Sequence, residues 1–542
     1  MKSLLQDYVS AQAQRRSEAT AVVADDQTLT YGELDSGSNQ LARLLRESGC
    51  SRGDRIALLA PKSAAAIVAT LGIYKSDCIY VPLDSTSPAP RLVKMIESAE
   101  PKWILAAGPV AQLLGDMLAS TTLRARMRVG WLEPRPISSC FPIDFDRNDL
   151  LNHSAAPVNY RNQTHDAAHL LFTSGSTGIP KGVIITHGNV IHFIEWAIEY
   201  FGINSTDRQS CHPPLHFDLS VFDIFGTLAA GATLYLVPPD LSLFPNKLAD
   251  FIRGNALTQW FSVPSLLTYM ANLDVVRPND FPCLKRLLWC GEVLPTRTLI
   301  YWMQRLPHVI FTNLYGPTEA TIASSYYTLP AAPKTETQPI PIGSPCGGET
   351  LHVLDADLHP VPRGIQGDLY IGGVGLSPGY WRNAEATDAV FVTIGNERLY
   401  RTGDLASIGT DGQVYFHGRS DSQVKTRGHR VELGEIEAAL DCSSRLQSCA
   451  VVAIPSSGFE GNTICCAYVA KPDQTVTPAT LRKELAGNLP AYMVPTEWLE
   501  LSSLPKNANG KVDRAALKNE FRNRSKPPAP QHAALGSAEQ RV

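Results

Sequence analysis

The chain has 542 residues, of which 44% are hydrophobic and 18% charged, with a formal net charge of −4. That length exceeds what one hydrophobic core usually serves, so more than one structural unit is expected. The charge balance gives no support to a nucleic-acid partner, and no basic stripe with interleaved aromatics is present. Met1 to Thr20 lacks the apolar core of a signal segment and predicts an amphipathic helix, with Leu4, Leu5, Tyr8 and Val9 on one side. Apolar runs break before they could span a bilayer, so the expectation is a cytosolic (cytoplasmic) protein with no membrane partner. The 11 cysteines are scattered, Cys465 and Cys466 are adjacent, and no C-x-x-C pair occurs. Buried free thiols, not a zinc site or a disulfide framework, are therefore expected.

From Ala21 to about Gln423 strands and helices alternate. Arg55–Leu59 and Ile79–Leu83 read as strands flanking a helix from Ala64 to Ile73. Such alternation predicts an α/β fold with parallel sheets covered on both faces, and ligands beyond the carboxyl ends of the strands. Asp421 to about Phe521 reads as a small α+β unit: a helix at Leu433–Leu440, strands at Ala450–Ile454 and Ile464–Val469, and a helix at Thr480–Leu489. The expected boundaries are residues 1–420 for the large unit, 421–525 for the small one and 526–542 for a linker or tail. Lys526–Pro530 reads as a stiff linker, and Ser537 to Val542 as the start of a helix the chain does not complete.

The most informative stretch is Leu170 to Gly182: a buried strand, then Thr173, Ser174, Gly175, Ser176, Thr177, Gly178, Ile179, Pro180 and Lys181. Glycines let backbone N–H groups approach phosphate oxygens, and hydroxyls and a lysine add donors and charge. A Ser/Gly surface turn is the bland alternative. It is not a Walker loop, because Gly182 follows Lys181 where Ser or Thr is required.

This loop resembles the phosphate loop of the adenylate-forming superfamily, which includes acyl-CoA ligases, luciferase and the adenylation domains of nonribosomal peptide synthetases. Further stretches match in order, from Thr30-Tyr31-Gly32-Glu33-Leu34 to Asn509-Gly510-Lys511, so the likeness covers nearly the whole chain. It implies ATP and Mg2+ as cofactors. It also implies a large domain plus a mobile C-terminal one that turns about Asp421. In Asn313 to Thr321 it implies that Tyr315 stacks on adenine, beside Asn313 and Gly316, that Thr318 contacts the α-phosphate and that Glu319 holds Mg2+. Gly291 and Glu292 resemble the adenine-side backbone. Asp404 matches the ribose carboxylate and Arg419 its neighbour. Thr426 stands where the family has isoleucine, and a partly exposed strand is expected to tolerate it.

Lys511 matches the catalytic lysine. Adenylation joins two anions, and a cation between them offsets their repulsion; its loss costs on the order of 3–4 kcal/mol, several hundred-fold in rate. A lone loop lysine is otherwise a solvated charge. His216-Phe217-Asp218-Leu219-Ser220 carries the carboxylate that, in amino-acid-activating relatives, binds the substrate ammonium. Without that role Asp218 reads as a helix N-cap. His216 resembles the family's gate. The resemblance further implies a pocket of Asp218, Leu219, Phe222, Ser262, Leu288, Cys290, Leu314, Ile322 and Ala323, closed by Lys511. Such a pocket suits a small or medium apolar α-amino acid: proline, alanine, serine, cysteine or valine. Ser262 is smaller than a proline pocket leads one to expect. The acyl group then passes to the phosphopantetheine thiol of a carrier protein, supplied in trans or fused beyond the end of this chain. An acyl-CoA or D-alanyl-carrier ligase and a non-catalytic nucleotide-binding scaffold are the competing readings. Asp77, in a stretch where small residues are usual, has no account from sequence.

Overall fold

The computed structural model describes residues 4–25, 27–136, 140–175, 178–456, 461–472, 474–507 and 511–524. Two sheets form its centre. A nine-stranded sheet runs parallel through Ile310–Tyr315, Arg286–Trp289, Gln259–Ser262, Arg208–Cys211, Thr233–Leu236 and Thr20–Val23, with antiparallel strands at both edges. A six-stranded sheet runs parallel through Arg128–Trp131, Trp103–Ala106, Arg55–Leu59, Ile79–Leu83 and Ala167–Thr173, and ends on antiparallel Lys181–Thr186.

Strand alternation assigns each side chain to a layer. Ile56 and Leu58 face a core shared by both sheets, while Ala57 and Leu59 face a second, outer core. Helices Tyr31–Glu47, Ala64–Lys75, His187–Phe201 and Asp218–Ala229 fill the layer between the sheets. The Thr30–Glu33 motif is what starts the first of these. The Thr30 hydroxyl accepts the Glu33 N–H at 3.2 Å and the Glu33 carboxylate accepts the Thr30 N–H at 2.8 Å, a capping box.

The expected strand–helix alternation stops short of Gln423. Residues Glu349–Arg419 instead build an antiparallel five-stranded sheet, with one short helix at Ala384–Val390. Beyond it, hairpin Gln423–Thr426/His429–Glu432 leads to a three-stranded sheet, Leu446–Pro455, Asn462–Ala470 and Glu497–Glu500. Helices Leu433–Asp441 and Pro478–Ala486 cover one face of that sheet and Arg514–Arg524 the other. The expected small α+β unit is present, and its first and last expected helices lie within two or three residues of where they were read. The helix Leu5–Arg16 matches the amphipathic N-terminus. The linker and tail after Arg524 lie outside the described residues. Among the described residues, no helix is long and apolar enough to cross a membrane. Seven cysteines are buried, but Cys140, Cys283 and Cys442 are exposed, against the expectation for them.

Two departures from the family pattern acquire physical roles. Thr426 is 3% exposed, not half-exposed, and its hydroxyl donates to the Asn462 carbonyl at 3.1 Å, so the polar side chain is paired. Asp77 sits at φ 63°, accepts the N–H groups of Arg161 and Asn162 at 2.7 and 2.9 Å, and pairs with Arg46 at 3.0 Å. Asp77→Ala leaves two backbone donors unsatisfied and should destabilise the fold by about 2–3 kcal/mol, seen as a lower urea midpoint with the remaining folded protein still binding ATP.

Candidate active site

The parallel strands of the large sheet end at Cys211, Ser262, Trp289 and Tyr315, and the side chains just beyond these ends wall a cavity of about 120 Å³. On one side the Tyr315 hydroxyl donates to Asp404, whose other oxygen accepts Arg419 Nη1 at 2.6 Å. Arg419 also holds Asp421 at 2.6 Å, which ties the expected hinge residue to the expected ribose site. Burial, then the neighbouring Asp404 charge, push the Tyr315 hydroxyl well up, so it acts as a donor. Gly316 is needed because a Cβ there would lie 2.6 Å from the Ala323 Cα.

On the other side stand Thr173 and Ser174. The Gly178 N–H donates to the Gly175 carbonyl at 3.0 Å, and a Cβ on Gly175 would lie 2.0 Å from the Ile179 oxygen. Ser176 and Thr177 lie outside the described residues. Lys181 does not line this cavity. It faces a neighbouring cleft of about 330 Å³, with its ammonium 5.3 Å from the Tyr380 ring centre. The Tyr380 hydroxyl in turn donates to Glu319 at 2.6 Å.

Glu319 is 1% exposed and holds Arg430 Nη1 at 2.8 Å. Burial would raise its carboxyl, but the Arg430 charge and the Tyr380 hydroxyl outweigh it and hold the group below the usual range. Among the described residues, no cluster of three or more His, Cys, Asp or Glu forms a metal centre. A buried carboxylate that needs a cationic partner fits Mg2+ where the ion takes the place of the Arg430 guanidinium, since Mg2+ takes few protein oxygens and completes its shell with phosphate and water.

Asp218 is the first residue of helix Asp218–Ala229, whose N-cap is Phe217. Its carboxylate turns instead to the Thr318 hydroxyl, which donates to it at 2.9 Å. Burial pushes the group up to about 6, against the Thr318 hydrogen bond and the Lys425 charge, with Glu319 adding in the upward direction. Burial likewise pushes the His216 imidazole below its ordinary value, against the Asp84 charge, and its Nε2 has no partner among the described residues.

The whole ensemble matches a known family. Residues 9–381 match the AMP-binding enzyme family and residues 435–511 the AMP-binding enzyme C-terminal domain. The chain belongs to the AMP-binding enzymes. Zwittermicin A synthase ZmaJ of Bacillus cereus is 33% identical over 525 residues, 95% of each chain. Tyrocidine synthase 3 of Brevibacillus parabrevis is 35% identical over 517 residues, 95% of this chain, which spans 8% of that relative's length. The solved Vibrio cholerae adenylation domain AlmE, in complex with glycyl-adenosine-5'-phosphate, superposes with a TM-score of 0.82 at 26% identity, over 96% of this chain and 98% of that one. Within the adenylate-forming superfamily the chain is of the nonribosomal peptide synthetase adenylation-domain kind.

In this adenylation domain the expected apolar pocket residues Leu219, Phe222, Leu288, Cys290, Leu314, Ile322 and Ala323 share one buried cluster beside Asp218. Ser262 is the exception. Parallel register pairs Ser262 with Trp289 and Phe261 with Leu288. Trp289 belongs to the opposite core, and the Ser262 hydroxyl accepts the Trp260 indole N–H at 2.9 Å on that side. Phe261 is the residue that joins the apolar cluster, edge-on to Phe222 at 5.7 Å. Thr321 and Ile322 have φ of 58° and 69°, costly for β-branched residues, and hold the far wall in place. The Asn313 amide donates to the Pro341 carbonyl at 2.9 Å, and Asn313 is not among the residues that line the cavity.

Lys511 is exposed, its N–H donating to Asn507 Oδ1 at 3.1 Å, and it does not line the cavity in this arrangement. The residues of its Asn509-Gly510 turn lie outside the described ones. Lys425, Gly428, His429 and Arg430 of the hairpin stand in the cavity wall instead. The hairpin tip, Arg427 at φ 51° and Gly428 at φ 80°, is the tight turn its twist requires. The Gly428 N–H donates to Glu292 Oε1 at 2.6 Å, so Glu292 serves through its side chain. His429 stacks on Tyr492 at 3.6 Å, and Arg91 pairs with buried Glu435.

Two predictions follow from this geometry. Phe261→Ala should widen amino-acid preference toward larger side chains by about tenfold or more, while Ser262→Ala leaves the preference unchanged, as competition between amino acids in ATP–pyrophosphate exchange will read. A protonated Asp218 cannot hold an ammonium, so the amino-acid KM should rise about tenfold per pH unit below about 6, with ATP KM flat over the same range.

Proposed function

We propose that this adenylation domain converts a small or medium apolar α-amino acid and ATP into aminoacyl-AMP and pyrophosphate, then passes the acyl group to a carrier-protein phosphopantetheine thiol. The observation that carries this reading is the buried Asp218 carboxylate at the rim of an apolar cluster, joined through Thr318 to the nucleotide cavity. An ammonium there finds the partner that burial otherwise denies it, and a plain carboxylic acid leaves Asp218 unpaired. The aminoacyl-AMP named for the Vibrio cholerae structure is the same class of product.

The substrate carboxylate attacks the α-phosphorus in line; a P–O bond forms and the bond to pyrophosphate breaks. Thr173, Ser174 and the backbone of the Gly175 loop hold phosphate oxygens, Tyr315 and Asp404 hold the nucleoside, and Arg419 braces Asp404. Mg2+ held by Glu319 supplies charge neutralisation on the phosphates. Residues 421–525 turn about Asp421 to bring Lys511 to the reacting anions, and turn back to the observed arrangement for the thiol step. There the sulfur attacks the acyl carbon, a C–S bond forms, the C–O bond to AMP breaks, and the thiol proton passes to solvent. With Phe261 rather than Ser262 on the apolar face, strand Gln259–Ser262 offers a phenyl ring and not a hydroxyl to the substrate side chain. Proline, alanine and valine therefore suit the pocket better than serine, and the small-residue objection to proline disappears.

Amino-acid-dependent ATP–pyrophosphate exchange is the test. One small apolar amino acid should dominate, Lys511→Ala should lower exchange several hundred-fold, about 3–4 kcal/mol, and Asp218→Ala should abolish amino-acid dependence. Exchange with plain carboxylic acids and none with amines would instead identify an acyl ligase.

A further inference from the structure

Arg430 and Mg2+ compete for the same oxygens. Arg430 Nη1 lies 2.8 Å from Oε2 and 3.1 Å from Oε1 of Glu319, and the Tyr380 hydroxyl takes Oε1 at 2.6 Å. A metal about 2.1 Å from either oxygen would press into the guanidinium and against its like charge. A carboxylate with 1% of its surface exposed is costly without any cation, so one must replace the other.

The guanidinium is braced within its own hairpin, and the backbone that carries it is tied to the glycine–hydroxyl loop. Its Nε donates to Gln423 Oε1 at 2.9 Å, and the Arg430 carbonyl accepts the Ser174 hydroxyl at 2.9 Å. Losing the Glu319 pair therefore removes a charged contact that seats the hairpin, whose tip is held by the Gly428 N–H on Glu292 and by a glycine so close that a Cβ would meet Val263 Cγ1 at 2.6 Å.

We propose that Arg430 is the positioning residue for the thiol-transfer half of the reaction: its guanidinium takes the metal's place on Glu319, so hairpin 423–432 seats in the cavity only once metal and pyrophosphate have left. This rests on Glu319 being the metal carboxylate of the proposed function. Seating brings Lys425 and His429 to the cavity and keeps Lys511 outside it. Metal occupancy and hairpin docking are thereby mutually exclusive states of one buried charge.

Hydrogen–deuterium exchange of the full chain, read on peptides covering 423–432, tests it through the Gly428 amide. Adding magnesium pyrophosphate should speed exchange of that amide by about tenfold or more, and EDTA should reverse it. Arg430→Gln should exchange fast with or without the metal, and Arg430→Lys should recover part of the protection. In the same variants, transfer to free pantetheine should fall about tenfold more than amino-acid-dependent exchange, a split that general loss of folding does not produce. Binding of magnesium pyrophosphate, followed by calorimetry, separates the two possible failures. If it binds and Gly428 stays protected, the charge exchange at Glu319 is wrong. If it does not bind, and Glu319→Gln changes nothing, the metal role of Glu319 fails and the proposal falls with it.

Discussion

Glu319 is a carboxylate removed from water in the middle of the site, and the surrounding structure is organised by the need to neutralise it. Tyr380 reaches it from the antiparallel region, Arg430 from the C-terminal hairpin, and its neighbour Thr318 reaches onward to Asp218. Three parts of the chain remote in sequence thus meet at one charge. Salt screens a pair at such depth far less than it screens a surface pair.

The second organising constraint is strand register. In a parallel sheet neighbouring partners point to the same face, so Phe261, Leu288 and Cys290 line one wall while Trp260, Ser262 and Trp289 build the opposite core. A slip of one residue in reading the strand exchanges a hydroxyl for a phenyl ring in the pocket. In the proposed function the aromatic pair Phe222–Phe261 limits how large a substrate side chain can be, and Asp218 at the rim decides which end of the substrate faces it.

Much of this was legible in the sequence. The glycine–hydroxyl loop, Tyr315, Asp404, Arg419, Asp218 and most of the apolar wall come together as the motifs imply, because each sits at a strand end fixed by local pattern. Strand ends Arg55–Leu59 and Ile79–Leu83 were readable from their apolar runs. Phe261 was missed because the Trp260-Phe261-Ser262 run is apolar on both faces and carries no alternation to phase it. The antiparallel sheet after Glu349 was missed because its strands are half-exposed and separated by glycines, a weaker signal than helix–strand alternation. Asp77 became intelligible only through Arg161 and Asn162, which are distant in sequence and close in space.

What no local pattern could supply is the seat of the hairpin. The run from Gln423 to Glu437 was recognisable as a motif, but its residues meet Ser174, Glu292 and Glu319 only through the placement of one unit on another. A rigid-body turn leaves every local propensity unchanged, so either position of the small unit satisfies the same sequence. In the proposed reaction cycle the two positions differ in which cation faces the reacting groups. Joining two anions calls for Lys511 between them. Expelling AMP as the thiol attacks calls for that lysine to leave and, once metal and pyrophosphate have gone, for the buried Glu319 carboxylate to be neutralised from another source. Arg430, rooted in the same moving unit, meets that second requirement by the motion that fulfils the first.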